Sequence, residues 1–173
     1  KQTERANAML ARLSSFLRYT LANEPTAQVT LAQEVETLKL YLEIEKMRFE
    51  DRLRPHFEID SSTIGARLPS LLLQPLIENA IKYAVTPSET GAEIWIKAER
   101  QGRGVRIEVA DSGAGEAAMF HGHQSTGVGL TNIKDRLAQA YGAGQSFSTK
   151  SNEHGGFSVI LDIPLEDGSR DHQ

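Results

Sequence analysis

The sequence predicts an α+β chain: a helical hairpin, then one mixed, mainly antiparallel sheet with helices on one face. Three observations predict it. Residues 1–50 repeat apolar side chains at helical spacing, interrupted at Pro25. From Pro55 onward, short runs of alternating apolar and polar residues recur, joined by glycine-bearing turns. Between those runs lie two longer stretches whose apolar residues return every three or four positions.

Taken in order, Ala6, Met9, Leu10, Leu13, Phe16, Leu17 and Leu21 place a helix over residues 1–23, which Pro25 ends. Thr30, with Gln33 three residues on, is a capping-box pattern that starts a second helix. Leu31, Val35, Leu38, Leu42 and Phe49 form one stripe of it, and Leu40, Ile44 and Met47 form another. A helix apolar on two faces is expected to be buried on two sides, as in a bundle. Residues 56–60 alternate with Phe57 and Ile59 on one face, a short strand. A helix follows over 71–85, with Pro75 in its first turn or at a kink. Residues 93–98 and 105–109 read as strands around the turn Gln101-Gly102-Arg103-Gly104, with Trp95 on one face and Ile94 and Ile96 on the other. Residues 112–126 show no periodicity and read as a loop. A helix over 127–141 carries Leu130, Ile133 and Leu137 on one face. Residues 146–150 and 157–163 form a second hairpin around Asn152-Glu153-His154-Gly155-Gly156. The polar tail after Leu165 is expected to be frayed and disordered.

Composition narrows the function. The 173 residues suffice for about one domain with an extension. A net charge of −4 points to no direct nucleic-acid partner. With no cysteine, a disulfide scaffold and a thiolate metal site are excluded. No apolar run reaches the ~18 residues of a membrane span. The sequence begins at Lys1 inside a helical pattern, so it is expected to be a piece of a longer chain, whose membrane spans, if any, would lie upstream.

Three motifs could carry chemistry. Asp111 ends a strand and precedes Ser112-Gly113-Ala114-Gly115. A carboxylate only accepts hydrogen bonds, so it suits an exocyclic amine, and Gly113 and Gly115 permit a tight, hinged turn. Gly127-Val128-Gly129 opens a helix, where free N–H groups suit phosphate. It is no Walker loop, since no Gly-Lys-Ser/Thr follows. Asn79 lies in a helical apolar run; its amide oxygen suits Mg²⁺, and Lys82 three residues on could reach a phosphate. Each motif alone reads equally as a plain turn, a helix start or a surface amide.

Together, and in this order, the three resemble the N, G1 and G2 boxes of the GHKL ATP-binding superfamily. LKLYLEIEKMRFEDRL (38–53) and LLLQPLIENAIKYA (71–84) are similar to the LytS-like sensor histidine kinases of bacterial two-component systems, over roughly residues 30–165. The resemblance implies a Bergerat two-layer α/β sandwich. It implies ATP and Mg²⁺ as ligands, with Asn79 on the metal and Glu78, Lys82 and Tyr83 flanking the nucleotide. Asp111 would hold the adenine amine. Gly113 and Gly115 would begin a lid over about 112–126, and Gly127 and Gly129 would end it at the phosphates, with Leu130 and Asn132 completing that box. Arg136, on the same helix, is assigned no more than a structural part. The implied division is 1–52 as the end of a dimerisation region, 53–166 as the catalytic ATP-binding domain, and 167–173 as tail. Implied partners are a second copy, through the helices, and a response regulator of the LytTR type. The implied place is the cytoplasm, with any anchor of the parent upstream.

Departures qualify the resemblance. The family's phosphoacceptor His sits in an Asn-Pro-His-Phe type motif, and none of His56, His121, His123, His154 and His172 has that context. This stretch is expected to bind ATP without labelling itself. Phe157 stands where relatives carry Thr, and Ser158 faces the other way along a strand. GHKL hydrolases place a Glu one turn before the Asn as general base; here that position is Pro75, which favours transfer to a side chain over hydrolysis. Glu78 is either the base that deprotonates an incoming His or a solvated residue. His121 and His123 read as plain loop residues rather than metal ligands, with a pH-tuned lid as the sharper alternative. Rival readings are a degenerate nucleotide-binding or dimerisation module and a GHKL ATPase.

Overall fold

The computed structural model describes residues 1–22, 27–114, 125–152 and 155–165. The tail 167–173, Gly115, His121, His123, His154 and most of the expected lid lie outside them. Helix α1 (Gln2–Ala22) runs antiparallel to α2 (Leu31–Phe49), tied by Arg12 to Glu43 at 3.3 Å and by the rings of Phe16 and Tyr41, 6.1 Å apart. The capping box at Thr30 forms as expected: Gln33 N–H donates to Thr30 Oγ1 at 3.2 Å, and Thr30 N–H to Gln33 Oε1 at 3.0 Å. The stripe Leu31, Val35, Leu38, Leu42 and Phe49 is buried, whereas Leu40, Ile44 and Met47 stay half-exposed. On α1, Met9, Leu10, Leu13 and Leu17 are exposed. Among the described residues, no helix is long and apolar enough to cross a membrane.

Five strands form the main sheet: β2 (Leu53–Ile59), β4 (Ala92–Gln101), β5 (Gly104–Asp111), β6 (Ser146–Ser151) and β7 (Phe157–Pro164), in the order β2-β4-β5-β7-β6. Only β2 and β4 are parallel. A parallel pair needs a crossover, and this one carries helix α3 (Gln74–Ala80), prolonged by a π turn (Ile81–Val85). Pro55 fits β2 because β2 is an edge strand. Helix α4 (Ser125–Tyr141) joins α3 on the same side, with Ile133 and Leu137 buried. Ile94, Ile96, Ile107 and Leu161 face these helices, and the α2 stripe belongs to the same core, so the core is continuous across residue 52. The other face is polar: Trp95 stacks on His56 with ring centroids 5.6 Å apart, and Arg106 forks onto Asp162 at 2.8 and 3.0 Å.

Several local expectations change. A two-stranded ribbon, β1 (Gln28–Thr30) with β3 (Arg67–Pro69), was not foreseen; three residues are too few to show alternation. The helix expected from 71 begins at Gln74, with Pro75 in its first turn. Leu71 lies at φ 57, outside the helical region, because side chains from α2 and α4 take the backbone groups of this turn. The helix expected from 127 begins two residues earlier, at Ser125, so Gly127 and Gly129 sit within its first turns.

Candidate functional site

A cleft opens between α3 and the adjoining ends of β5 and β7. Its wall on α3 is Leu76, Asn79, Ala80 and Tyr83, and its sheet side is Val109, Asp111, Phe157 and Val159. The periods explain the arrangement. Positions 76, 79, 80 and 83 share one helix face, and 109/111 and 157/159 alternate in phase with the strand residues that face the helices. Asp111 pairs in register with Phe157, which sets both at the same end of the sheet.

Asp111 is 9% exposed and accepts the N–H of Gly113 at 2.9 Å. A side chain at 113 would put its Cβ 2.6 Å from the Cβ of Ala84, so only glycine lets this turn lie against the helix. Burial pushes the Asp111 carboxyl above its ordinary value of 3.8, while the N–H groups of Gly113 and Phe157 pull it back. A pKa raised by folding means that folding favours the protonated form. That contribution is full below the unfolded pKa and disappears as pH rises through the folded one. Denaturant unfolding at a series of pH values is therefore expected to show the stability of the parent, relative to Asp111→Asn, falling as pH climbs from about 3.5. A flat difference would contradict the assignment.

Asn79 is half-buried, and its Nδ2 is buried without a hydrogen-bond partner. Such an orphan is costly unless a ligand completes it. A half-turn of the terminal torsion exchanges the places of the amide oxygen and nitrogen. Among the described residues, no group of three or more His, Cys, Asp or Glu is arranged to hold a metal ion. An oxygen from Asn79 together with oxygens of a ligand is a donor set that this cleft can offer a hard cation.

Of the residues singled out from sequence, Asn79, Tyr83 and Asp111 meet in the cleft, and Gly113 closes the turn beside it. Glu78 is exposed and accepts from Gln74 Nε2 at 3.0 Å. Lys82 is exposed, its Nζ 5.2 Å from the Tyr83 ring centre. Leu130 packs half-buried against the core, and Asn132 is exposed. Arg136 donates to the carbonyls of Ser70 at 2.5 Å and Leu71 at 3.3 Å. Ser158 is buried outside the cleft lining and accepts from Asn152 Nδ2 at 3.4 Å. The apolar walls Leu76, Ala80, Val109 and Val159 were not anticipated as site residues. Their spacing from Asn79 and Asp111 was the available signal. Apolar walls, a buried acceptor and an aromatic ring together suit a flat heteroaromatic ring bearing an amine.

Comparison with known proteins bears on this cleft. Residues 66–167 match the family model "Histidine kinase-, DNA gyrase B-, and HSP90-like ATPase", and residues 1–53 match the model "Histidine kinase". The sensor protein LytS of Staphylococcus saprophyticus is 32% identical over 94% of this chain and 29% of its own length. The sensor histidine kinase BtsS of Escherichia coli is 30% identical over 96% of this chain and 29% of its own length. The chain thus spans under a third of the curated relatives it matches. Among solved structures, a nucleotide-free catalytic domain of the histidine kinase ThkA superposes with a TM-score of 0.62 at 20% identity, covering 80% of this chain and 97% of that one. The histidine kinase AdeS of Acinetobacter baumannii covers 96% of this chain and 81% of its own at a TM-score of 0.59 and 16% identity. Both likenesses concern the fold.

Proposed function

Because this chain belongs to the histidine kinase-, DNA gyrase B- and HSP90-like ATPase family, we propose that its cleft binds ATP and that it is the ATP-binding catalytic region of a sensor histidine kinase. The observation that carries this reading is Asp111: a buried carboxylate with apolar walls around it and Asn79, whose Nδ2 is buried without a partner, on the facing helix.

In this reading Asp111 accepts the adenine amine, and the apolar side chains of the cleft exclude water from that bond. Asn79, with its amide oxygen turned inward, holds Mg²⁺ together with phosphate oxygens. The ion, when bound, neutralises phosphate charge. The first N–H groups of α4, including that of Gly127, lack helical acceptors and suit phosphate. Lys82 and Tyr83 border the nucleotide, Leu130 and Asn132 support the start of α4, and Gly113 lets the chain turn beside Asp111. Pro75 in the first turn of α3 leaves no carboxylate there to activate water, which favours transfer to a histidine over hydrolysis. The acceptor imidazole is a histidine of the parent protein, from which the phosphoryl group passes to an aspartate of a separate response regulator, of the LytTR type. The exposed apolar residues of α1 suit pairing with a second copy.

Titration of the chain with a non-hydrolysable ATP analogue and Mg²⁺ tests the reading, with the GTP analogue as the competitor that lacks the matching amine. Micromolar binding that prefers adenine is expected; no binding at millimolar nucleotide would overturn it. Glu78 has a separate test. If it is the base, Glu78→Gln in the full-length parent is expected to slow histidine labelling about 100-fold while leaving nucleotide affinity unchanged. Unchanged labelling would assign Glu78 to the solvated surface.

A further inference from the structure

Helix α2 and the turn that follows it meet the two ends of α3 and its π turn. Glu34 is 1% exposed; its Oε2 accepts the N–H of Leu71 at 3.1 Å and its Oε1 that of Leu73 at 3.1 Å. Leu73 caps α3. N–H groups at the start of a helix have no carbonyl of their own helix to meet, and a carboxylate there faces the positive end of the helix dipole. Arg136 of α4 grips the carbonyls of the same turn, so Leu71 is held at φ 57 through both its N–H and its C=O. Burial raises the pKa of Glu34, while the N–H groups of Leu73 and Leu71 and the charge of Arg136 lower it.

The opposite end is held by Arg52, in the turn that follows α2 (Glu50–Arg52). Its guanidinium donates to the carbonyls of Val85 at 3.0 Å, Thr86 at 3.1 Å and Ser88 at 2.8 Å. These carbonyls lie at and just past the C-terminal end of the helix, where the ladder runs out of N–H donors and the dipole is negative. One continuous segment therefore sets an anion at the start and a cation at the end of the helix that bears Asn79 and Tyr83.

We propose that Glu34 and Arg52 are positioning residues that bracket α3, so that α2 sets the alignment of Asn79 and Tyr83 opposite Asp111. The inference rests on the reading of the cleft as an ATP site. A displacement of α2 against the sheet would move α3 through these two contacts, which gives the helical region a direct mechanical path to the nucleotide. Neither residue lies in the cleft lining, so their effect on binding would pass through the helix.

The test compares Glu34→Gln, which turns one acceptor into a donor facing an N–H, with Arg52→Lys, whose ammonium cannot fork onto several carbonyls. Ile163→Ala, a cavity at the end of β7 opposite the cleft, serves as the control for lost stability. Two quantities are read: affinity for the ATP analogue with Mg²⁺, and hydrogen exchange of the amides of residues 76–83 without nucleotide. Each bracket variant is expected to weaken affinity about tenfold and to speed that exchange about tenfold, with the control changing neither at a matched thermal midpoint. Parental values in both bracket variants, or an equal loss in the control, would overturn the proposal. Should the parent bind no nucleotide, the ATP reading fails while the exchange measurement still decides the bracket. Should Glu34→Gln not fold, Arg52→Lys decides it at the half-buried end.

Discussion

Replacing Asp111 with alanine is expected to weaken binding of a non-hydrolysable ATP analogue about 100-fold, and to abolish the preference for adenine over guanine. A hydrogen bond to a charged acceptor contributes about 1.5–3 kcal/mol, and the upper part of that range applies where the acceptor is buried. Asp111 is 9% exposed, and water does not readily replace it beneath the walls of Val109, Phe157 and Val159. A base held in that cleft would keep its stacking and lose its amine's partner. Asn79→Ala provides the complementary result: weak residual binding that no longer depends on Mg²⁺. Calorimetric titrations with and without the metal read both variants. Parental affinity in Asp111→Ala would mean that the nucleotide does not use this cleft.

Gly91→Ala is expected to cost about 4 kcal/mol of stability and to lower the thermal midpoint by about 10 °C. Gly91 lies at φ 77, where an L side chain costs about 1–2 kcal/mol. Its new Cβ would stand 1.9 Å from the carbonyl oxygen of Arg52 and 2.3 Å from its Cα. Both are backbone atoms and cannot swing aside, so β2 and β4 must part where Leu53 pairs with Ala92, and overpacking of this kind costs about 1–3 kcal/mol more. Gly65→Ala is the control: nothing lies within 4 Å of its Cβ position, and a change within about 0.5 kcal/mol is expected. Thermal unfolding monitored by circular dichroism compares the two. Equal midpoints would show that the crossover yields at Gly91 without loss.

Much of the site was legible because its signals are local. Asp111 stands at the end of an alternating strand and before a glycine turn, and Asn79 stands on the face of an apolar helical run. Thr30 and Gln33 are three positions apart, so their mutual hydrogen bonds could be read directly from spacing. Glu34 was not legible. It lies among the buried stripe of an ordinary amphipathic helix, and the N–H groups it accepts lie 37 and 39 residues away. Arg52 reaches carbonyls 33 to 36 residues on, and nothing in its neighbourhood in sequence announces them. Phe157 was noticed as a departure, but its place in the cleft follows from its register with Asp111.

The amino-acid sequence by itself determined which segments become the helices and the strands of the main sheet, and which polar residues interrupt their apolar faces; the β1–β3 ribbon and the exposure of the second stripe of α2 lay beyond it. Side-chain periodicity, glycine turns and caps act over a few residues, so they survive in a one-dimensional reading. The tertiary structure decided where α3 begins and ends, the strained turn at Leu71, and the meeting of Asn79 with Asp111. These depend on closure of the chain: a buried carboxylate of α2 takes the N–H groups of Leu71 and Leu73, which no helical carbonyl meets. The β5–β7 register then sets the opposite wall of the cleft.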